Sequence, residues 1–138
     1  MEGSSNEPVR IGALELKFVA NKPELVMFEF VVPSNARVPA PHYHRDVDEV
    51  VFGLSGTLTT IAGGEEHKIS AGDSRFIPRG TVHTHENRHG ETARALIVMT
   101  PGSIHRGYFE EVAAQVNSGK PDMAKMKEIM LRYGLVPA

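Results

Sequence analysis

The 138-residue sequence contains no cysteine and no tryptophan. The absence of cysteine excludes disulfide bonds, thiolate zinc sites, iron–sulfur clusters and cysteine nucleophiles. No apolar run approaches the roughly 20 residues that a membrane-spanning helix needs. Basic and acidic side chains are nearly balanced, because 15 basic and 17 acidic residues give a formal net charge of −2. We therefore expect neither a nucleic-acid partner nor binding to a membrane surface.

The first ten residues, MEGSSNEPVR, lack the basic start and the apolar stretch of a secretory signal peptide. The sequence thus predicts a cytoplasmic protein. Its length fits one domain. We expect residues 1–9, which are mostly small and polar, to be flexible. Residues 10–102 are predicted to form the domain and residues 103–138 a helical extension.

Short segments of alternating apolar and polar residues make up most of the predicted domain. Residues 14–18 and 26–32 show this period of two, which is typical of half-buried strands. Gly63–Gly64 stands where a two-residue hairpin turn requires positive φ. Further strands are predicted at 49–54, 57–62, 65–69, 74–77, 82–86 and 93–100. Many short strands with regular turns indicate an all-β fold, either a closed barrel or a two-sheet sandwich.

After Pro101 the apolar residues change to helical spacing. Tyr108 and Val112 predict a first helix. Asp122 suits the N-cap of a second helix, whose methionine-rich face is predicted to pack against the barrel or a partner subunit. Gly134 stands where the end of a helix favours a left-handed residue. We therefore expect one or two C-terminal α-helices.

Seven histidines are many for this length, and three of them have informative spacing. His42 and His44 are two residues apart, so both side chains project from the same face of a strand. Glu49 can meet them only if the chain bends, and the polar residues 45–48 suit such a bend. His83 follows downstream. A single histidine on a strand is more often an ordinary hydrogen-bonded or solvent-facing residue than a ligand. Three imidazoles and a carboxylate together, however, suit a first-row divalent metal.

Residues 42–56 read HxH-x4-E-x6-G, and residues 72–87 read G-x5-P-x-G-x2-H-x3-N. The matching positions are His42, His44, Glu49, Gly56, Gly72, Pro78, Gly80, His83 and Asn87. This double pattern resembles the two signature motifs of the cupin superfamily, over about residues 10–100. One position departs from it, because Ala36 stands where the first motif usually opens with glycine.

The resemblance implies a jelly-roll barrel, also called a double-stranded β-helix. It implies that His42, His44, Glu49 and His83 bind one divalent transition metal ion per chain: Fe, Mn, Ni, Cu, Co or Zn. Because histidine must be neutral to bind a metal, we expect release below about pH 6. The superfamily also implies a homodimer, and we expect residues 11–19 and the methionine-rich helix to cross between its subunits.

His85, two residues after His83, is expected on the same inward face of the strand. Cupins of this kind more often carry phenylalanine there. His85 is thus a hydrogen-bonded wall residue, an acid or base, a substrate contact or a fifth ligand, and we name Glu49 and His85 as candidate catalytic residues. The expected apolar walls are Phe28, Phe30, Val51, Phe76 and Ile77. His105 and Tyr108 are expected to cover the mouth of the barrel.

The C-terminal tail is similar to that of quercetin-dioxygenase-like bacterial cupins. This similarity implies a metal-dependent dioxygenase that cleaves a small chelating enol or ketone. The alternatives are a redox-neutral metal-dependent isomerase or decarboxylase, a non-catalytic protein that binds a small molecule or metal, and a dimerisation scaffold. One His/Glu set accepts several metals, and one fold supports many reactions, so the sequence leaves the metal and the substrate open.

Overall fold

The structure, a computed structural model, describes residues 7–38 and 40–138. Its strands are β1 (Val9–Ile11), β2 (Leu14–Asn21), β3 (Val26–Val32), β4 (His42–His44), β5 (Asp48–Ser55), β6 (Leu58–Ala62), β7 (Glu65–Ile69), β8 (Ser74–Ile77), β9 (His83–Glu86), β10 (Ala93–Thr100) and β11 (Leu135–Pro137). Its helices are α1 (Arg106–Val116) and α2 (Met123–Arg132), which lie between β10 and β11.

The strands of the described residues form two antiparallel sheets. One sheet has the order β1-β2-β3-β10-β5-β8, and the other has the order β11-β4-β9-β6-β7. The chain passes from one sheet to the other between β3 and β4 and again between β4 and β5. Apolar side chains from both sheets form one buried core. The predicted all-β jelly roll with two C-terminal helices is confirmed.

The chain bends between β4 and β5, as residues 45–48 predict. Arg45 and Asp46 form the bend, and Val47 is buried at the point where the chain enters the other sheet. The amide of Gly80 donates a hydrogen bond of 2.8 Å to the carbonyl of His44. This bend allows side chains on β4 to face side chains on β5 across the barrel.

Two glycine positions show why the motifs need this residue. Gly63 and Gly64 have φ of 60° and 81° and join β6 to β7, so the predicted hairpin turn is confirmed. Gly56 has φ of 65°, and a Cβ there would lie 2.3 Å from the carbonyl oxygen of Thr92. The glycine of the first motif is therefore required by both conformation and space.

The C-terminal segment returns to the barrel and supports β4. The Asp122 carboxylate caps α2, as predicted, by accepting hydrogen bonds from the amides of Ala124 and Lys125. Met126, Ile129 and Met130 form the buried face of the helix. Gly134, with φ of 81°, turns the chain into β11, which pairs with β4. The sequence pattern did not predict β11.

The predicted flexible segment, residues 1–9, and the predicted domain boundary at residue 102 mark the two ends of the domain. Residues 1–6 of the predicted flexible segment lie outside the described residues, whereas Val9 is buried in β1 and pairs with Leu16 on β2. The domain boundary at residue 102 stays a prediction. Neither helix of the described residues is long and apolar enough to cross a membrane.

Candidate metal centre

The structure brings the four predicted metal ligands together inside the barrel. The ring centroid of His83 lies 4.9 Å from that of His42 and 4.8 Å from that of His44. The Glu49 Oε1 atom lies 3.4 Å from His83 Nε2 and 3.8 Å from His44 Nε2. Three imidazoles and one carboxylate thus share one buried location.

Strand pairing explains this convergence. His42 on β4 lies directly opposite His83 on β9, and His44 follows on the same face. Glu49 comes from β5 in the other sheet. Asn87, the last residue of the second motif, is buried, and its side-chain amide donates hydrogen bonds to the carbonyls of Val32 and Glu91. Asn87 therefore secures the loop after β9 rather than contributing to the site.

Hydrogen bonds fix two of the imidazole rings in the form that a metal requires. His42 Nδ1 donates to the carbonyl of Ala40 at 3.0 Å, and His83 Nδ1 donates to the carbonyl of Thr81 at 2.9 Å. Because a carbonyl oxygen can only accept, each of these rings, when it is neutral, carries its proton on Nδ1 and leaves Nε2 free. His44 Nδ1 is buried without a hydrogen-bond partner among the described residues, and its Nε2 faces Glu49.

Burial and mutual charge set the protonation of the cluster. Burial, together with the neighbouring His83, lowers the pKa of His42 to about 4. Burial also lowers the pKa of His44 to about 4, against the opposing effect of Glu49. Burial alone would raise the pKa of Glu49, but His83 and His85 hold it well below its ordinary value. At neutral pH, His42 and His44 are therefore neutral and Glu49 is ionised, as metal ligands must be.

His83 differs from the other two rings. Burial opposes its protonation, but the charge of Glu49 and the hydrogen bond between them raise the pKa of His83 above its ordinary value. The negative carboxylate therefore favours a positive charge at this position. A bound cation would supply that positive charge in place of the proton.

The donor set fits a divalent cation. The nitrogens that His42, His44 and His83 offer lie within 4.8 Å of one another, and one atom each from Glu49, His83 and His85 meets the same limit. Two ligand atoms held about 2.0–2.2 Å from one metal ion are about 2.8–3.6 Å apart at octahedral or tetrahedral coordination angles. The distances from Oε1 to His83 and His44, 3.4 and 3.8 Å, are close to this range, so these three residues are spaced nearly as ligands of one ion.

A cavity of about 100 Å³, lined by residues of both sheets, adjoins the cluster. Its polar end is formed by the four predicted ligands and by His85. The rest of the wall is apolar and includes Phe28, Phe30, Ile97, Met99, Tyr108 and Val112. One water needs about 10–15 Å³ of such a cavity, so there is room for a ligand of several non-hydrogen atoms.

The structure corrects part of the predicted wall. Phe28 and Phe30 line the cavity, whereas Val51 and Ile77 are buried in the fold without lining it. The assignment of Phe76 as a wall is wrong, because its side chain is 57% exposed. Phe76 lies opposite Val50 on β5, the neighbour of Glu49 in the chain. Alternation along the strands therefore directs Phe76 away from the cavity while Glu49 faces it.

The two residues expected at the mouth have different roles. Tyr108 on α1 lines the cavity and is buried, as expected, and burial raises the pKa of its hydroxyl. His105 is exposed, and its Nδ1 caps α1 by accepting a hydrogen bond of 2.9 Å from the amide of Gly107. His105 therefore orders the helix that covers the cavity and does not line the cavity itself.

Several residues at the site have no signal in the sequence pattern. Thr60 on β6 is fully buried, and its Oγ1 lies 2.9 Å from His85 Nδ1. Phe109 and Leu135 also line the cavity. Thr60 lies opposite His85 because β6 pairs with β9, and that pairing order is not visible in the spacing of residues along the chain.

Comparison with known proteins agrees with this architecture. Residues 28–99 match the family model described as "Cupin domain". Among curated proteins, the chain is 32% identical over 60 residues to the tetracenomycin polyketide synthase protein TcmJ of Streptomyces glaucescens. That match covers 44% of this chain and 40% of TcmJ, so it spans less than half of the curated relative.

Two solved structures share the fold. A sugar phosphate isomerase of the cupin superfamily from Silicibacter pomeroyi is 23% identical, with a TM-score of 0.60 over 65% of this chain and 60% of that chain. A predicted oxalate decarboxylase from Thermotoga maritima is 22% identical, with a TM-score of 0.60 over 64% of this chain and 80% of that chain. The family match covers more than half of the sequence and contains the buried His/Glu cluster. The chain belongs to the cupin domain family.

Proposed function

We propose that this cupin binds one divalent transition metal ion through His42, His44, Glu49 and His83 and acts on a small organic molecule in the adjoining cavity. One observation carries the proposal: three imidazoles and one carboxylate converge at the polar end of a cavity whose other walls are apolar. Such a cavity suits a partly apolar molecule that presents one or two oxygen atoms to the cluster.

The reaction that we propose is the oxygen-dependent cleavage of a chelating enol or ketone. A bound redox metal supplies a site where such a substrate and dioxygen react. The protein's own residues do the rest. The neutral rings of His42, His44 and His83 hold the ion, and the ionised Glu49 lowers the net charge of the centre. The phenylalanines exclude water and orient the apolar part of the substrate.

The test begins with elemental analysis of protein purified without added metal. Metal-free protein is then reloaded singly with iron, manganese, nickel, copper or cobalt, and oxygen uptake is measured after anaerobic addition of small diketones and flavonols. We expect uptake with at least one metal and its loss in His83→Ala. Replacement of His67, which pairs with Arg75 outside the cavity, is the matched control and should leave uptake unchanged. No uptake with any of these metals and substrates would contradict the dioxygenase proposal.

A redox-neutral isomerase or decarboxylase is the second candidate. His85 lines the cavity and lies 2.8 Å from Glu49 Oε2, so a proton-carrying group is present beside the substrate space. The names of the two structural neighbours, an isomerase and a predicted decarboxylase, are consistent with such chemistry. This candidate predicts turnover in the absence of oxygen, at a similar rate with zinc as with a redox-active metal. It also predicts that substrate recovered from deuterated solvent contains deuterium.

A further inference from the structure

Thr60, His85 and Glu49 form a buried chain of hydrogen bonds. Thr60 Oγ1 lies 2.9 Å from His85 Nδ1, and His85 Nε2 lies 2.8 Å from Glu49 Oε2. All three residues are buried. Phe30 packs edge-on against the His85 ring, with their centroids 6.3 Å apart. The ring is therefore held at both nitrogens and at its edge.

The direction of these hydrogen bonds follows from the acceptor at one end. A carboxylate oxygen can only accept, so His85 Nε2 carries the proton and donates it to Glu49. In the neutral ring, Nδ1 then has a lone pair and accepts the hydrogen bond from the Thr60 hydroxyl. With its proton and its hydrogen bond in place, Nε2 has no lone pair to offer to a cation.

The two oxygens of Glu49 consequently have different surroundings. Oε2 accepts the hydrogen bond from His85, while Oε1 faces His83 and His44 at 3.4 and 3.8 Å. Two groups of three potential metal ligands share His83. One group is His42, His44 and His83, and the other is Glu49, His83 and His85. The hydrogen bond removes His85 from the second group.

We infer that Thr60 and His85 are positioning residues that make Glu49 a metal ligand through Oε1 alone and exclude His85 from the ligand set. This inference rests on the metal site of the proposed function and assigns the roles within it. A carboxylate that binds through one oxygen occupies one coordination position instead of two, which leaves more of the ion open to a small molecule from the cavity.

The first measurement uses the metal-free protein and nitrogen NMR of its histidine rings. Assignment of the His85 signals by comparison with His85→Phe should show that the neutral form of the ring carries its proton on Nε2 and not on Nδ1. Thr60→Val keeps the volume of the side chain but removes the hydroxyl, so it should weaken this preference, while Thr60→Ser should restore it. A His85 ring protonated on Nδ1 alone would overturn the inference, whatever the protein binds.

The second measurement is the binding of Co²⁺ alone, followed by chelator competition and visible absorption. Loss of an interaction that orients a metal ligand typically weakens metal binding about 10–100-fold. We expect that range for His85→Phe and Thr60→Val, near-normal affinity for Thr60→Ser, and intermediate affinity for His85→Gln, which keeps an N–H donor. Circular dichroism and thermal melting of the metal-free variants control for folding.

The third measurement counts bound imidazoles in Cu²⁺-loaded protein by pulsed electron paramagnetic resonance. We expect three in the wild type and three in His85→Phe, but two in His83→Ala. A loss of one imidazole in His85→Phe would identify His85 as a ligand and overturn the inference. Failure of the wild type to bind Co²⁺ or Cu²⁺ would instead overturn both the proposed metal site and the role of Glu49 within it, while the NMR result would still report the hydrogen-bond direction.

Discussion

At the scale of single residues, the centre combines side chains that burial and charge drive in opposite directions. His42, which is half-buried, and His44, which is buried, are bases whose pKa is lowered to about 4. Glu49 is a buried acid that the adjacent rings keep ionised. Each group alone would be costly to bury, but together they form a donor set with a negative charge at one end. This arrangement explains why polar residues occupy the interior of an otherwise apolar barrel.

Glu49→Gln tests the contribution of this charge. The amide is similar in size but neutral, so we expect metal affinity to fall at least as far as in the positioning variants, by about 10–100-fold or more. Co²⁺ titration of the two proteins measures the difference. His67→Asn, which alters a histidine outside the cavity, is the control and should bind Co²⁺ as the wild type does. Equal affinity of Glu49→Gln and wild type would show that the carboxylate is not a ligand.

The pKa values of His42 and His44 predict how the metal-free protein responds to acid. In the folded state both rings stay neutral down to about pH 4, whereas in the unfolded chain they take up protons below their ordinary value of 6.5. The free energy of unfolding should therefore fall between pH 6.5 and pH 4, by about 1.4 kcal/mol per pH unit for each proton bound only by the unfolded chain. The raised pKa of His83 acts in the opposite direction, but only above pH 6.5, where the folded chain binds a proton that the unfolded chain does not.

Urea denaturation at pH 7, 6 and 5, with and without bound metal, measures this effect. The metal-loaded protein should remain stable to lower pH than the metal-free protein, because the bound ion holds the rings neutral. A free energy of unfolding that rises between pH 6 and pH 5 would contradict the assignment. The sequence-based expectation of metal release below about pH 6 stays a prediction that the same titration checks.

The four predicted ligands could be located from sequence because spacing within one strand decides which face a side chain occupies. His42 and His44 need only the period of two, and the polar residues 45–48 indicate the bend that brings Glu49 across. Thr60 could not be found in this way, because its contact with His85 depends on which strand lies beside β9. Phe76 was misplaced for a related reason, since the face of β8 that turns inward is set by its register with β5.

At the scale of secondary-structure elements, the C-terminal segment does more than extend the barrel. Helix α1 covers the cavity with Tyr108, Phe109 and Val112, and α2 leads into β11, which pairs with the ligand strand β4. The pairing places Leu135 beside His44. Longer strands were predictable because their alternation extends over several residues, whereas β1 and β11 have three residues each, too few to show a period.

Asp122→Ala tests whether α2 supports the metal centre. Loss of an N-cap costs about 0.5–2 kcal/mol, so we expect lower thermal stability together with a modest loss of Co²⁺ affinity, because a frayed α2 loosens β11 and through it β4. Asp122→Asn keeps an oxygen that caps the helix and should behave as the wild type. Reduced stability with unchanged Co²⁺ affinity would show that α2 does not support the ligand strand.

At the scale of the whole molecule, apolar side chains remain on the outer face of the six-stranded sheet. Phe52 and Leu54 on β5 are 39% and 42% exposed, and Phe76 on the neighbouring β8 is 57% exposed. By contrast, β2 pairs on both sides within the chain, and the methionine face of α2 packs on its own barrel. We therefore propose the outer face of β5 and β8 as the interface of the predicted homodimer, while the segments that the sequence suggested stay an alternative.

Light scattering coupled to size exclusion should give twice the chain mass of 15.1 kDa. Phe76→Glu places a charge among the exposed apolar residues and should shift the protein toward the mass of one chain. Val19→Glu alters an exposed valine on β2, within the segment first expected to cross between subunits, and should leave the dimer intact. A wild-type mass of one chain would contradict the dimer, and a monomer caused only by Val19→Glu would favour the N-terminal interface.

Diffraction from metal-loaded crystals, recorded on both sides of the absorption edge of the ion, tests the central claim most directly. We predict one anomalous peak per chain, within bonding distance of His42, His44, His83 and a single oxygen of Glu49, at the polar end of the cavity. A cavity without a peak, or a peak only among surface carboxylates, would contradict the assignment of this cluster as a metal centre.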